Sequence, residues 1–415
     1  MEADKLTQMY PMLSVEEALE RVLSGLSPLP EERVPLLEAL GRVLSRDAVA
    51  PHDIPPHANS AMDGYAVRAA DTAGAGPVRL RLVGEVAAGG LPEREVGPGE
   101  AVRIMTGAPL PPGADAVVRF EWAELAGEWV LIFRAVPPGH DVRPAGEDVR
   151  AGEVVIPAGT RLRPQEIGML ATLGETEVWV RRRPRVGILA TGDELVEPGD
   201  PLPPGKIRNA NSYTNFAQVK KYGGIPVPLG VARDREEEVA ARLRAGVEQG
   251  VDLLLVSGGV SVGDFDLVKR VLAAQGRMDF WRVRMKPGKP LAFGWLSLSG
   301  REVPVLGMPG NPVSAMVSFE LFARPAILAL QGARDLSLPT VPAIFTDRVK
   351  RKDDRRHFLR VRLSQEGGEL VARLTGEQGS GILSSLVKAD GLAVIPENWS
   401  HVEPGARVEV IPLWP

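Results

Sequence analysis

Three loops in the second half of the chain carry residue types suited to holding an anion beside acids. In SGGVSVGDFD (257–266), Gly258, Gly259 and Gly263 surround Ser261, and their missing Cβ atoms let backbone N–H groups approach a phosphate closely. Asp264 and Asp266 stand at the far end, where a helix is expected to begin. Either acid can cap that helix or complement its dipole instead of meeting a ligand. In PGNPVSA, Pro309 and Pro312 stiffen a turn, while Asn311 and Ser314 offer donors at a helix start. TGDE sets Asp193 and Glu194 at the end of an apolar strand, with capping again the plain alternative. KPGKP places Lys286 and Lys289 around a Pro-Gly turn, in a chain where arginine far outnumbers lysine. Two ammonium groups there suit phosphate or another oxyanion, or simply a solvated turn. Carboxylates repel phosphate, so the combination raises the question of what lies between them.

Other stretches are more ambiguous. HANSAMDGYAV (57–67) contains Asp63-Gly64, which is first of all a hairpin signal. MTGAPLPPGAD has the same character, with Thr106 beside Gly107. RKDDRRHFLRVRL (351–363) is basic, but acids interrupt it and no series of stacking aromatics accompanies it. It reads as a solvated hairpin rather than a nucleic-acid patch.

The elements that must position these loops can be read from periodicity. SVEEALERVLSGL is an amphipathic helix opened by a Ser14/Glu17 capping box, and PLLEALGRVL fits a second short helix. From 51 to 148, short β-prone pieces alternate with Gly/Pro turns. RPQEIGMLATLG returns to helical spacing and is expected beside the first helices, making the β region an insertion. From 183, near-continuous apolar strands (RVGILA, IPVPLGVA, VDLLLV, VPVLGM) alternate with helices, the pattern of a mainly parallel α/β sheet. Ligands bind outside the carboxyl ends of such strands, where TGDE, SGGVSVGD and PGNP all fall. From 333 the chain reads as strands again. The expected fold is therefore multidomain α/β plus β. A discontinuous, mixed helical N-terminal domain spans 1–50 and 149–182. A β-rich insertion occupies 51–148, an α/β domain 183–332 and a small β domain 333–415.

Composition narrows the chemistry. The 415 residues exceed one ordinary core and contain no cysteine, which removes disulfides, thiolate catalysis and Cys-ligated metals. The five histidines are scattered, and the net charge of -4 gives no global reason to expect nucleic acid or an anionic membrane. MEADKLTQMY lacks the apolar core of a signal peptide. No stretch was expected to reach the roughly 20 apolar residues of a membrane span. A cytoplasmic protein is the expectation.

HANSAMDGYAV, RIMTGAPLPPGADAVV, GILATGDELVEPG, RNANSYTN, SGGVSVGDFD, MKPGKPLAFG and LGMPGNPVSAMVSF occur in one order along nearly the whole chain. Together they resemble the molybdopterin molybdenumtransferases, a family that also supplies the C-terminal part of gephyrin. The resemblance implies insertion of molybdate into adenylylated molybdopterin, release of AMP and a requirement for Mg²⁺. It also implies a homodimer of four domains per subunit: a linker and dimerisation domain (1–50 and 149–182), a lid (51–148), a three-layer α/β molybdopterin-binding catalytic domain (183–332) and a barrel-like C-terminal domain (333–415), with the active site between the α/β domain of one subunit and the β insertion of the other. The family's functional positions fall on Asp63, Thr106, Glu194, Asp234, Asp266, Pro309 and Pro312. Glu194, Asp234 and Asp266 are the expected ligands of Mg²⁺, which would lie between phosphate and carboxylate and remove their repulsion. Molybdopterin adenylyltransferase is a candidate partner, and also the rival activity. A non-catalytic scaffold is the other alternative.

Overall fold

The computed structural model describes residues 12–74, 76–258, 270–271, 276–288, 290–298, 300–351 and 353–413. The chain folds into two compact units, one of 1–45, 159–163 and 177–415, the other of 46–158 and 164–176.

The first unit is built on a seven-stranded sheet. In chain order its strands are β1 (Met12–Leu13), β2 (Arg185–Thr191), β3 (Ile225–Ala232), β4 (Leu253–Ser257), β5 (Gly276–Val283), β6 (Pro290–Leu298) and β7 (Arg301–Met308). Their order across the sheet is β1-β5-β6-β7-β4-β2-β3. All neighbouring pairs are parallel except those of β6, which runs antiparallel to both β5 and β7. The mainly parallel sheet is as expected, but the β5–β6 pair was not read in the sequence. Alternate residues feed two cores. Leu253 and Leu255 join one, Leu254 and Val256 the other, so the sheet is the middle of three layers.

Helix α1 (Val15–Leu23) carries the expected capping box: Glu17 N–H donates to Ser14 Oγ at 3.1 Å and Ser14 N–H to Glu17 Oε2 at 2.7 Å. Its Val15, Ala18 and Val22 enter the first core. Helix α2 (Asn211–Lys221) follows the TGDE segment, and α3 (Glu236–Glu248) buries Val239, Leu243 and Val247 in the second core. Each such side chain contributes roughly 1.5–3 kcal/mol by leaving water. Helix α4 (Pro312–Leu330) has 19 residues, with a π turn at Phe319–Ala323. Contrary to expectation, it is long and apolar enough to cross a membrane by composition, with mean hydropathy 1.5. It is instead 89% buried as the central helix of this core.

PLLEALGRVL is not a helix. Only Leu36–Glu38 form a 3₁₀ turn, and Gly41 at φ +75° leads the chain into bridges to Arg161 and Val180. The preceding Glu31–Pro35 pairs antiparallel with Glu177–Arg181. Glycine in the left-handed region ends the helical pattern that the leucines suggest.

The C-terminal strands β8 (Val341–Phe345), β9 (Arg356–Glu366), β10 (Glu369–Leu374), β11 (Gly391–Ile395) and β12 (Ala406–Pro412) close on themselves in the order β9-β10-β8-β12-β11-β9. This five-stranded barrel surrounds Phe345, Val361, Ala393 and Val410. The solvated hairpin expected at 351–363 is wrong. Strand β9 is paired along both edges, and Arg351, His357 and Arg360 are buried. Arg351 donates to the carbonyls of Pro396, Trp399 and Arg355, which explains a buried guanidinium there.

The second unit holds a six-stranded sheet of Ala116–Arg119, Gly64–Val67, Glu100–Ile104, Val78–Val86, Trp129–Ile132 and Ala123–Ala126, in that order. The helix Pro164–Thr172 belongs to this unit rather than to the first helix's unit, and its Met169 packs with Ala50, Val149 and Leu173.

Candidate active site

The carboxyl ends of β2, β4 and β7 open into a cavity of about 1180 Å³. Thr191 and Glu194 come from the β2 end, Ser257 and Gly258 from β4, and Pro309 to Pro312 with Ser314 from β7 and the start of α4. Lys286, Pro287 and Gly288 line another side. The TGDE and PGNP loops therefore converge with the start of SGGVSVGD, the rest of which lies outside the described residues.

Their backbones meet closely. Gly258 has φ +91°, and a Cβ there would lie 2.2 Å from the Thr191 carbonyl oxygen. Only glycine fits such a position without strain. Glu194 folds back over Gly192, where a Cβ would lie 2.5 Å from Glu194 Oε2. Thr191 and Ser257 are each 1% exposed, and their hydroxyls find no protein partner among the described residues. Buried hydroxyls on a cavity wall without partners are groups left for a ligand or water. At the opposite wall, Asn211 Nδ2 donates to Gly310 O at 2.7 Å, tying the start of α2 to the PGNP turn. Asn311 occupies the N-cap of α4 but makes no side-chain cap bond, and Pro312 follows at the first helical position. That side chain is thus available to an anion, whereas Pro312 has no N–H and the Val313 and Ala315 amides already donate to Ser380 O and Asn311 O.

The barrel supplies the last wall: Arg355 and residues 377–381. Ser380 O accepts from Val313 N–H at 3.1 Å, so this segment docks on the first turn of α4. Arg360 anchors it from behind, donating to Gly379 O at 3.1 Å and to Ser385 Oγ at 3.1 Å. Burial lowers the Arg360 guanidinium to about 10. Asp353 accepts from Arg355 at 2.8 Å and lies 3.9 Å from Lys286 Nζ. Burial alone would raise its carboxyl, but hydrogen bonds from Arg355 and His357 outweigh that and hold it well below the usual carboxylate range.

Of the residues expected in the site, Glu194, Gly258, Lys286, Pro309, Asn311, Pro312 and Ser314 line the cavity. Gly259, Ser261, Gly263, Asp264, Asp266 and Lys289 lie outside the described residues. Asp234 stands at the end of β3, facing Asp193: each backbone N–H points at the other's carboxylate at 3.4 Å. It is not on the cavity wall. Among the described residues, no three acids or histidines gather closely enough to hold a metal by themselves.

Asp63 and Thr106 meet in the second unit. The Thr106 backbone N–H and hydroxyl each donate to Asp63 Oδ1 at 2.7 Å. Those two bonds, the backbone one first, lower the exposed Asp63 carboxyl. Sequence reasoning missed Arg355, Gln378, Ser380, Asn209 and Asn211 as wall residues. Asn209 and Asn211 lie in RNANSYTN and Arg355 in RKDDRRHFLRVRL, stretches singled out without a site role, and Gln378 and Ser380 lie in TGEQGSG, whose glycine spacing was a signal far along the chain.

Family models match three successive regions. Residues 13–174 match the MoeA N-terminal region (domain I and II), 187–329 a probable molybdopterin binding domain, and 342–413 the MoeA C-terminal region (domain IV). A molybdopterin molybdenumtransferase of Haemophilus influenzae is 38% identical over 406 residues, covering 97% of this chain and 99% of that protein. Molybdopterin molybdenumtransferase 2 of Mycobacterium tuberculosis is 37% identical over 96% of this chain and 99% of its own. Gephyrin of Dictyostelium discoideum is 33% identical over 98% of this chain and 63% of its own length. Among solved structures, a molybdopterin biosynthesis moeA protein from Pyrococcus horikoshii superposes with a TM-score of 0.83 at 35% identity, covering 96% of this chain and 99% of that one.

Proposed function

Because the chain belongs to the molybdopterin molybdenumtransferase family, transferases of molybdenum cofactor biosynthesis, we propose that its substrate is adenylylated molybdopterin, into which it inserts molybdate with release of AMP. One observation carries this reading. A single cavity joins a glycine-lined strand end, a helix N-terminus, Lys286, Arg355 and the carboxylate of Glu194. A phosphoanhydride needs the first four as anion donors. Glu194 would be out of place beside it unless a hard cation offsets the charge.

Mg²⁺ fits that donor set. Glu194 and the unpartnered Thr191 hydroxyl are oxygen donors on one wall. Because the described acids do not form a cage of three, phosphate oxygens and waters would complete the shell, as Mg²⁺ prefers. Glu194 would hold the ion, with Asp234 and Asp266 as further candidates. Bound there, the ion would polarise the phosphoanhydride and offset charge on the leaving phosphate. The chain's own groups do the rest. The Gly258 amide and the uncommitted Asn311 side chain at the start of α4 orient the phosphates. Lys286, Ser314 and the PGNP turn place molybdate or the pterin phosphate. Pro309 and Pro312 keep that turn rigid.

Asp63 and Thr106 belong, in this reading, to the same reaction but act from the partner subunit of a homodimer. Their support is the carboxylate itself, which is exposed and kept ionised by two hydrogen bonds. Adenylylated substrate would be supplied by a molybdopterin adenylyltransferase in the cytoplasm. The test is an assay with either the adenylate or free molybdopterin plus ATP. Turnover of the adenylate with molybdate and without ATP supports the reading. Dependence on ATP would assign the adenylyltransferase step instead.

A further inference from the structure

Helices α2 and α4 both begin at the cavity and pack against each other inward from it. Along α2 the stripe facing α4 is polar: Asn211, Asn215, Gln218 and Tyr222, at helical spacing. Its direction is fixed at both ends. Asn211 Nδ2 donates to Gly310 O at 2.7 Å, while Gln218 Nε2 donates to Glu320 Oε1 at 3.0 Å and Tyr222 OH to Glu320 Oε2 at 2.5 Å. Between these ends the stripe is not satisfied. Asn215 is 0% exposed, yet neither its Nδ2 nor its Oδ1 finds a protein partner among the described residues. Gln218 Oε1 is likewise unpartnered.

Buried amide and hydroxyl groups left bare cost a large share of the margin by which a fold is stable. Polar groups in such a place are met by internal water, each molecule making two to four hydrogen bonds. We propose that ordered waters occupy the seam between α2 and α4, held by Asn215 and Gln218. These two are positioning residues that set the spacing of the two helices at the cavity. The seam runs between the Gln218–Glu320 bond and the Asn211–Gly310 contact, where two cavity walls meet. An apolar side chain at 215 would displace the waters and let those walls shift. Small misplacements of binding groups weaken productive binding strongly.

This inference rests on the cavity being the molybdate and pterin site, and the test separates the two. A high-resolution crystal structure of the full chain reads the waters without reference to activity. The expected result is ordered water hydrogen-bonded to Asn215 and Gln218. Kinetics then compare Asn215→Leu with Asn215→Ser, which retains a water-holding hydroxyl. Asn215→Leu should melt no lower than the wild type and raise KM for molybdate about tenfold with kcat unchanged, a loss of positioning rather than chemistry. Asn215→Ser should keep the wild-type KM. If Asn215→Leu does not fold, Asn215→Val replaces it with the same expected rise in KM. A dry seam in the crystal overturns the proposal. So does an unchanged KM in Asn215→Leu, or an equal rise in both variants, which would indicate packing alone. A wild-type chain inactive with molybdate would instead count against the function proposed above.

Discussion

Gly258 is the residue most constrained by the cavity's geometry. Its φ of +91° and the Thr191 carbonyl 2.2 Å from any Cβ leave no room for alanine. Gly258→Ala should destabilise the first unit by about 1–3 kcal/mol, read by urea denaturation, and abolish AMP release even where the chain stays folded. Asp63 makes the complementary case in the second unit, since its chemistry comes from one neighbour. The Thr106 backbone and hydroxyl bonds lower its carboxyl, so it stays charged as pH falls further than an ordinary aspartate would. In Thr106→Val the hydroxyl bond is lost, and carboxyl titration by NMR should find Asp63 moved upward, toward its ordinary value. An Asp63 titration unchanged in that variant would show that the hydroxyl has no part in it. Sequence alone showed Asp63 as a hairpin residue, and the family resemblance gave it a function. The pairing with Thr106, 43 positions away, is a tertiary fact that local spacing does not carry.

At the scale of elements, what was legible followed the strength of local rules. The Ser14/Glu17 box and the apolar stripe of α1 are local, and the helix formed as read. The strand ends of β2, β4 and β7 were legible because their apolar runs stop at glycine, proline and acid. The β5–β6 pair was not, since its residues mix arginine, tryptophan and serine without a clean alternation. The barrel wall was misread for a related reason. Arg351, Arg355, His357 and Arg360 look like a solvated run, yet the closed barrel gives β9 partners on both edges and buries part of that charge. Asp353 organises this wall, and its folded pKa lies below the ordinary 3.8. A depressed carboxylate contributes stability above its unfolded pKa and loses it as pH falls through the folded one. The stability gap between wild type and Asp353→Asn should therefore be constant above about pH 5 and close progressively at lower pH. Denaturation curves across that range check it, and a gap independent of pH would remove Asp353's charge from the explanation.

At the scale of the whole molecule, the chain's two compact units each carry part of the expected machinery. Glu194 and the cavity-lining loops lie in one, Asp63 and Thr106 in the other. If the active site is completed across a homodimer, mixing inactive Asp63→Ala and Glu194→Ala chains should restore activity. Random reassortment leaves one intact site in each mixed dimer, or about a quarter of wild-type activity. Mixtures that stay inactive while exchanging subunits would place both residues in the same subunit's site. The convergence of the α/β loops was legible because the doubly wound sheet dictates where ligands bind. The barrel's share was not, because no local rule brings residues 377–381 to the start of α4. The most direct test of the cavity as the active site is AMP release from adenylylated molybdopterin, with molybdate and Mg²⁺, by wild type and by Glu194→Ala. Wild type should release AMP and the folded variant should release almost none. Undiminished release by folded Glu194→Ala would contradict the assignment.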